Sequence, residues 1–386
     1  MKILQVAANT RYGGMPFHVL TLSRALIARG HQVEVLSMDS GPMTALFRAE
    51  GIPIYTTPEL GQKAKRNPLL ALRVTKQIRR QISKSAPDIV HSHGPRAHFF
   101  SALAVRRRPS PALVTSVHGS YTQFTVGNRS EFGGLKRRIQ KLQYGGIDRL
   151  AARYSSRMVA VCEATKRELV NDLKIDSAKI TVVPNGIEDR RPDEESVAAV
   201  RKAFGFGGQE RIAVYVGRLA FHKGIADLFA AAEIVTASAP HARFLIVGEG
   251  PMEDELSRRV EMGPLAGKVF FAGRREDVPQ LIGASDLFVL PSFSEGLPLT
   301  LLEAAMVGRA MVATDVGGIS DVVQAGVTGT LVRPRDPVGL ARGIKTLLGD
   351  DTGLKRMGDA ARQLWEQKFT ADNMVEKMEQ VYISAT

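Results

Sequence analysis

Apolar residues along this chain follow two rhythms. Short runs at Lys2 to Ala8, Gln32 to Leu36, Ala112 to Val117, Ile212 to Gly217 and Asp286 to Leu290 have the length and composition of strands buried on both faces. Further runs near Ile52 to Tyr55, Asp88 to His91, Met158 to Val161, Lys179 to Val183, Arg243 to Val247, Val269 and Met311 read the same way. Between them, apolar residues recur three and four apart, as on one face of a helix. His18, Leu22, Leu26 and Ile27 mark such a face on a helix that starts near Met15 and stops at Gly30. Val74, Ile78 and Ile82 mark another over about 68–83, and three more helices close the chain: 338–348, 352–367, and a last one carrying Met374, Val375, Met378 and Val381. Alternation of strand and helix at this spacing predicts parallel sheets covered by helices, twice over. From Pro184-Asn185-Gly186 to Glu210 the pattern gives way to charge, proline and glycine around one short helix, and the domain linker is placed there.

Size agrees with two cores, since 386 residues are too many for one. Hydrophobic content of 44% and charged content of 24% are those of a soluble globular protein. No apolar run approaches the ~18 residues of a membrane span, and Ile3 to Ala8 is too short for a secretory signal, so a cytoplasmic location is expected. The single cysteine, Cys162, excludes an internal disulfide and a cysteine-based metal cluster. Charge changes the picture more. Residues 1–188 carry 29 Lys and Arg against 12 Asp and Glu, a net of +17, whereas residues 189–386 carry 23 against 27, a net of −4. Such asymmetry points to a polyanionic partner, a nucleic acid or an anionic membrane surface. Arg73, Lys76, Arg80 and Lys84 share the polar face of helix 68–83, after a basic stretch at Lys63 to Arg66. Lys136, Arg137, Arg138 and Lys141 lie opposite Leu135, Ile139, Leu142 and Leu150, in a stretch that Gly145-Gly146 divides into two helices. For each, a solvated surface and a membrane-facing patch are both open readings.

Candidate chemistry concentrates in residues 291–305, PSFSEGLPLTLLEAA. Pro291 ends a strand, Ser292 to Gly296 supply turn residues, and a helix runs from Pro298 with Leu299, Leu302, Ala305 and Met306 at helical spacing. A strand, a glycine-containing turn and a helix start aim backbone N–H groups at an anion. Glu295 stands in that turn and Glu303 about two helical turns on, roughly 7 to 12 Å along the axis. A ligand with phosphate in the middle and hydroxyl groups on both sides, such as a nucleotide diphosphate sugar, suits that spacing. The plain alternative is two solvated glutamates, but Glu303 falls within an apolar run where an unpaired charge is costly.

Other candidates sit at predicted strand ends, where doubly wound folds bind ligands. Gly217-Arg218, followed by Lys223 ahead of a helix, offers a planar fork and a mobile point charge for phosphate oxygens. His118-Gly119 closes the strand 112–117, before a polar, glycine-containing loop over 120–134. His91 and His93 share a strand face that could suit a metal, but no nearby cysteine or acidic residue completes a ligand set, and none is expected. Arg11-Tyr12-Gly13-Gly14 turns the first strand into its helix without the G-x-G-x-x-G of dinucleotide sites.

Glu295, seven residues and Glu303, in the context EGLPLTLLEA followed by Gly308, Asp315 and Gly317-Gly318, resemble the E-x7-E signature of the retaining glycosyltransferases of family 4. The glycine turn, His118, the Arg218/Lys223 pair and the glutamates fall in that family's order, so the resemblance spans nearly the whole chain. It implies the GT-B fold, two Rossmann-like α/β domains facing each other across a cleft: residues 1–188 with 370–386 for the acceptor, and 189–369 for the nucleotide sugar. The last helix would cross back to the first domain, with Thr370 as its cap. The resemblance also assigns roles. Glu295 contacts the donor sugar and Glu303 holds the ribose hydroxyls. Arg218, Lys223 and Gly217 clamp the diphosphate, approached by the backbone of Gly296, Leu297, Leu299 and Thr300, while Pro298 has no N–H to offer. His118 hydrogen-bonds the donor sugar, Gly13 and Gly14 lie near the phosphates, Gly248 joins the donor site, and Arg274 borders the nucleobase. No metal or other cofactor is implied. The function expected is metal-independent retaining transfer of a hexose or N-acetylhexosamine, from a UDP-sugar by analogy, to a lipid-linked or surface-glycan acceptor. A GDP-mannose-dependent mannosyltransferase, a nucleotide-sugar epimerase and, more remotely, a nucleic-acid-binding protein are the rivals.

Overall fold

Among the described residues, thirteen short strands, nearly all of them the apolar runs read above, make two sheets in which every pairing between strands is parallel. The computed structural model describes residues 1–57, 68–106, 110–119 and 145–386. The first sheet is built from β1 (Lys2–Ala7), β2 (Gln32–Ser37), β3 (Ile54–Thr56), β4 (Ile89–His93), β5 (Ala112–Val117), β6 (Arg157–Ala160) and β7 (Ile180–Val182), in the order β3-β2-β1-β4-β5-β6-β7. The second holds β8 (Arg211–Val216), β9 (Ala242–Val247), β10 (Val269–Gly273), β11 (Leu287–Leu290), β12 (Ala310–Thr314) and β13 (Gly329–Val332), in the order β10-β9-β8-β11-β12-β13. Helices cover both faces of such sheets, so inner strands are buried throughout; β11 and β12 expose no residue.

Both orders reverse once. In the first sheet the chain moves outward from β1 to β3 and returns beside β1 as β4; in the second it moves from β8 to β10 and returns as β11. These reversals, β1/β4 and β8/β11, are the switch points at whose carboxyl ends a crevice opens.

The chain packs as two units, with divisions between Glu188 and Asp189 and between Thr370 and Ala371. The first unit regains the chain in its last helix, Ala371–Ala385, which buries Met374, Val375, Met378, Val381 and Tyr382 against Ile3, Leu22, Leu26, Ile89 and Val114. Helix Glu194–Ala203, within the stretch read as linker, belongs to the second unit, where Arg201 donates to the Ala284 carbonyl.

Two expectations are corrected. β4 continues through His93 instead of stopping at His91, because β1 and β5 pair with it on both sides: Ala7 opposes His93, and His93 opposes Ser116. β13 was not anticipated; its Gly329 lies so close to β12 that a Cβ there would stand 2.0 Å from the Met311 carbonyl oxygen, a fit only pairing reveals. Gly145 and Gly146 take helical backbone at the start of a described stretch over 145–154. Residues 63–66, 120–134 and 135–144, with the expected loop and the basic cluster Lys136 to Lys141, lie outside the described residues. Helix Pro68–Ser85 buries Val74, Ile78 and Ile82 and exposes Arg73, Lys76, Arg80 and Lys84. Among the described residues no helix is long and apolar enough to cross a membrane.

Candidate active site

The second unit gathers its candidates at the β8/β11 switch point. β8 leaves the sheet through Gly217 and Arg218, held by the buried Tyr215, whose hydroxyl donates to the Arg218 carbonyl at 2.9 Å. The chain then makes a single turn, Phe221–Lys223, and enters helix Ile225–Ser238 through Gly224. Gly224 has φ +66°, and a Cβ on it would stand 1.8 Å from the Pro291 carbonyl oxygen, so only glycine lets this turn lie on the end of β11. Phe293 N–H donates to the His222 carbonyl and ties the two exits together.

That closeness joins Lys223 to Glu295. The lysine Nζ donates to Glu295 Oε1 at 2.5 Å, and the same oxygen accepts from Ser292 Oγ at 2.6 Å. Glu295 is buried and Lys223 half-buried, so the pair is shielded from the screening that weakens surface ion pairs. β12 supports the turn from the other side: Thr314 Oγ1 donates to the Ser292 carbonyl, and Gly318 N–H to the Gly296 carbonyl at 2.8 Å. His222 reports what surrounds it. Burial holds its imidazole below the usual value, the Lys223 cation adds to this, Glu295 opposes it, and Arg218 lowers it further.

Helix Leu299–Val307 starts directly after this turn, with Pro298 before it and no side chain capping it. The first N–H groups of a helix have no partner within it, so Leu299 and Thr300 present donors at its start. Glu303 projects from the same helix half-buried; burial pushes its carboxyl up to about 7, and the nearby Arg190 opposes the shift. Gly248 takes φ +129° with its Cα against the Gly217 carbonyl, and its N–H donates to the Gly273 carbonyl. Arg274, which follows Gly273, is exposed and stands 3.8 Å from Glu276. The carboxyl ends of β8, β9, β10 and β11 thus lead into the second-unit residues assigned to the donor.

In the first unit, Gly13 precedes helix Gly14–Ala28 with open space where a Cβ would stand. His118 follows β5 beside the β1/β4 switch point and, itself half-buried, belongs to a group of histidines of which the others are buried. His93 Nδ1 and His118 Nε2 are 2.9 Å apart, and His93 Nε2 is 2.6 Å from Gln5 Oε1. His91 bonds Tyr382 and Ser116, each at 2.7 Å. His18 stands edge-on to His118, ring centroids 4.6 Å apart. Burial is the main force holding His18 down to about 4 and His91, His93 and His118 well below their usual value, and mutual repulsion among the rings adds to it for the last three. All four are neutral at pH 7.

His18 lies on the buried face of its helix, as its spacing implies, but its approach to His93 and His118 was not anticipated. The rings of His91 and His93 do share a face, with centroids 4.1 Å apart, but Tyr382 and Ser116 occupy both His91 nitrogens. Among the described residues, His18, His93 and His118 are the three whose donor atoms lie within 4.8 Å of one another. A readable signal was Gln5, one polar residue in the apolar strand KILQVA. Arg335 was also missed. It stands over the ring of Phe293, 4.8 Å from the centroid, a third cation beside the turn.

Two α/β units, each with its candidates at a switch point, have the GT-B architecture of the Anabaena protein Alr3699/HepE solved in complex with UDP-glucose. The two match over the whole of both chains with a TM-score of 0.82 at 22% identity. The family model of glycosyltransferase family 4 matches residues 12–191, and that of glycosyl transferases group 1 matches residues 197–364. The chain is 30% identical to the D-inositol 3-phosphate glycosyltransferase of Nocardia farcinica over 90% of its own length and 79% of that protein. It is 25% identical to the UDP-Gal:alpha-D-GlcNAc-diphosphoundecaprenol alpha-1,3-galactosyltransferase of Escherichia coli, over 91% and 88%. The chain belongs to this family of glycosyltransferases.

Proposed function

We propose that the protein is a retaining, metal-independent glycosyltransferase that moves a hexose or N-acetylhexosamine from a UDP-sugar to a lipid-linked or surface-glycan acceptor. The observation that carries this reading is the Lys223–Glu295 pair at the β8/β11 switch point, with Arg218 beside it and an uncapped helix start behind it. Breaking the anomeric bond puts positive charge on the sugar and negative charge on the departing diphosphate. Arg218, Lys223 and the amides of Leu299 and Thr300 stabilise the diphosphate in the place of a metal ion. Glu295 takes the sugar hydroxyls and offsets the charge on the ring; His118, uncharged, hydrogen-bonds the sugar. Retention follows when the leaving phosphate takes the acceptor's proton on the same face. The relatives named above act, by their names, on an inositol phosphate and on a diphosphoundecaprenol-linked sugar, which supports a phosphorylated or lipid-linked acceptor. The exposed cations of helix Pro68–Ser85, around a Leu72 that is 67% exposed, suit an anionic membrane surface on the cytoplasmic side.

A thermal-shift panel of UDP, GDP and ADP sugars tests the donor, with Glu303→Ala as control. A UDP-sugar should raise Tm in the wild type and not in the variant. If no nucleotide stabilises the wild type, the proposal fails, and stabilisation by GDP-mannose alone replaces UDP with GDP. Donor incubated without acceptor should give no epimer by NMR.

Glu303 makes the donor's affinity depend on pH. A carboxyl that ionises near 7 in the free protein accepts ribose hydroxyls best as a carboxylate, so binding strengthens as pH rises through that value. Between pH 6 and 8 the ionised fraction grows about tenfold, and the Kd for UDP should fall by up to that factor. Titration calorimetry at the two pH values checks this; Glu303→Gln should flatten the dependence.

A further inference from the structure

We propose that His18, His93 and His118 form a binding site for one divalent transition-metal ion of the Zn²⁺ class, at the β1/β4 switch point of the first unit. Each supplies one ring nitrogen, and the three nitrogens lie within 4.8 Å of one another. Nitrogens bound to one tetrahedral Zn²⁺ at about 2.05 Å stand roughly 3.3 Å apart. The 2.9 Å separation of His93 Nδ1 and His118 Nε2 is already close to that. His18 has at most about 1.5 Å to travel by the same geometry.

The partners of these rings support the assignment. A metal-bound histidine usually donates its other N–H to an oxygen that fixes the ring and its tautomer. Gln5 Oε1, 2.6 Å from His93 Nε2, does this: it takes the proton on Nε2 and leaves the Nδ1 lone pair aimed at His118. His18 is 2% exposed, and neither of its ring nitrogens has a hydrogen-bond partner within normal geometry, with Asn185 the polar side chain beside it. A buried imidazole left in that state costs stability that a ligand would recover. The set is all imidazole, which suits Zn²⁺, Cu²⁺ or Ni²⁺ and not Mg²⁺, whose ligands are oxygens. His118 is the half-buried member, so an ion enters past it, and water or an anion completes the fourth position.

On binding, His118 changes tautomer: Nε2 releases its proton to solvent while Nδ1 takes one up from solvent, so the ring stays neutral and the freed Nε2 lone pair goes to the ion. The ion is not a participant in the reaction proposed above. Resting on that reading, occupancy takes His118 from the donor sugar and inhibits transfer.

Tag-free, chelator-treated protein is titrated with Zn²⁺ against a chromophoric chelator, and transfer is assayed across the same Zn²⁺ range. The expected result is one Zn²⁺ per chain, with transfer inhibited in step with occupancy. His18→Phe should bind at least 100-fold more weakly, transfer within about threefold of the wild type without metal, and resist inhibition. Gln5→Leu, which removes only the oxygen behind His93, should weaken binding 10- to 100-fold, and it decides the matter if His18→Phe does not fold. A wild type that binds no Zn²⁺ overturns the site, as do folded variants that both bind as tightly as it does. Binding is read without any donor sugar, so it stands even if no transfer is found. Binding without inhibition upholds the site and counts against the role given to His118.

Discussion

Replacing Lys223 by methionine should lower kcat for sugar transfer by about 10²- to 10³-fold, the usual loss when one group stabilising transition-state charge is removed. The effect has two sources that can be separated. On the proposed reading Lys223 is one of two cations that meet the departing diphosphate, and it is also the charged partner of the buried Glu295. Without it, the carboxylate keeps only the Ser292 hydroxyl at its Oε1, and an uncompensated buried charge costs about 3 to 5 kcal/mol of stability. Lys223→Met should therefore be both less stable and nearly inactive. Adding Glu295→Gln removes the stranded charge, so the double variant should regain most of the stability and none of the activity. Unfolding in urea and kcat, measured on folded protein for the single and double variants, check the two halves. A folded Lys223→Met within threefold of wild-type kcat would remove the basis of the mechanism.

The second large effect is expected at a residue that touches no substrate. Gly317 has φ +58°, and a Cβ there would stand 2.0 Å from the Glu295 carbonyl oxygen. Gly317→Ala should cost roughly 2 to 4 kcal/mol, part from the left-handed backbone and part from pushing away the turn that carries Glu295. The turn is pinned on its other sides by His222, Thr314 and Gly318, so it cannot yield without disturbing the Lys223 pair. Activity should fall with stability. Gly326→Ala is the control. Gly326 has φ +76° with no atom within 4 Å of the added Cβ, so it carries the backbone strain alone, roughly 1 to 2 kcal/mol. Equal urea midpoints for the two variants would show that close approach to Glu295 is not what requires glycine at 317.

Much of the site is legible before folding because its parts are local. The turn 291–298 and the helix after it lie in one stretch, so Glu295 and Glu303 announce their stations by spacing alone. Arg218 and Lys223 are recognisable as cations that follow a strand, yet nothing along the chain says which carboxylate lies beside them. That depends on β8 and β11 being neighbours in the sheet, and on Gly224 letting the turn after β8 lie on Pro291.

The histidines show the opposite case. His18, His93 and His118 come from three elements separated by many residues, and each alone reads as a helix-face residue or a strand-end polar group. Their meeting follows from register, since pairing Ala7 with His93 and His93 with Ser116 brings the ends of β1, β4 and β5 level. By itself the sequence determined the alternation of elements, the two-domain plan, the charge asymmetry and the turn with its glutamates, because propensity, periodicity and turn chemistry act within a few residues. Only the tertiary structure decided the order of strands, the partner of each buried charge and the joining of three imidazoles, because parallel strands are brought together by long crossovers whose ends carry no mark of where they will meet.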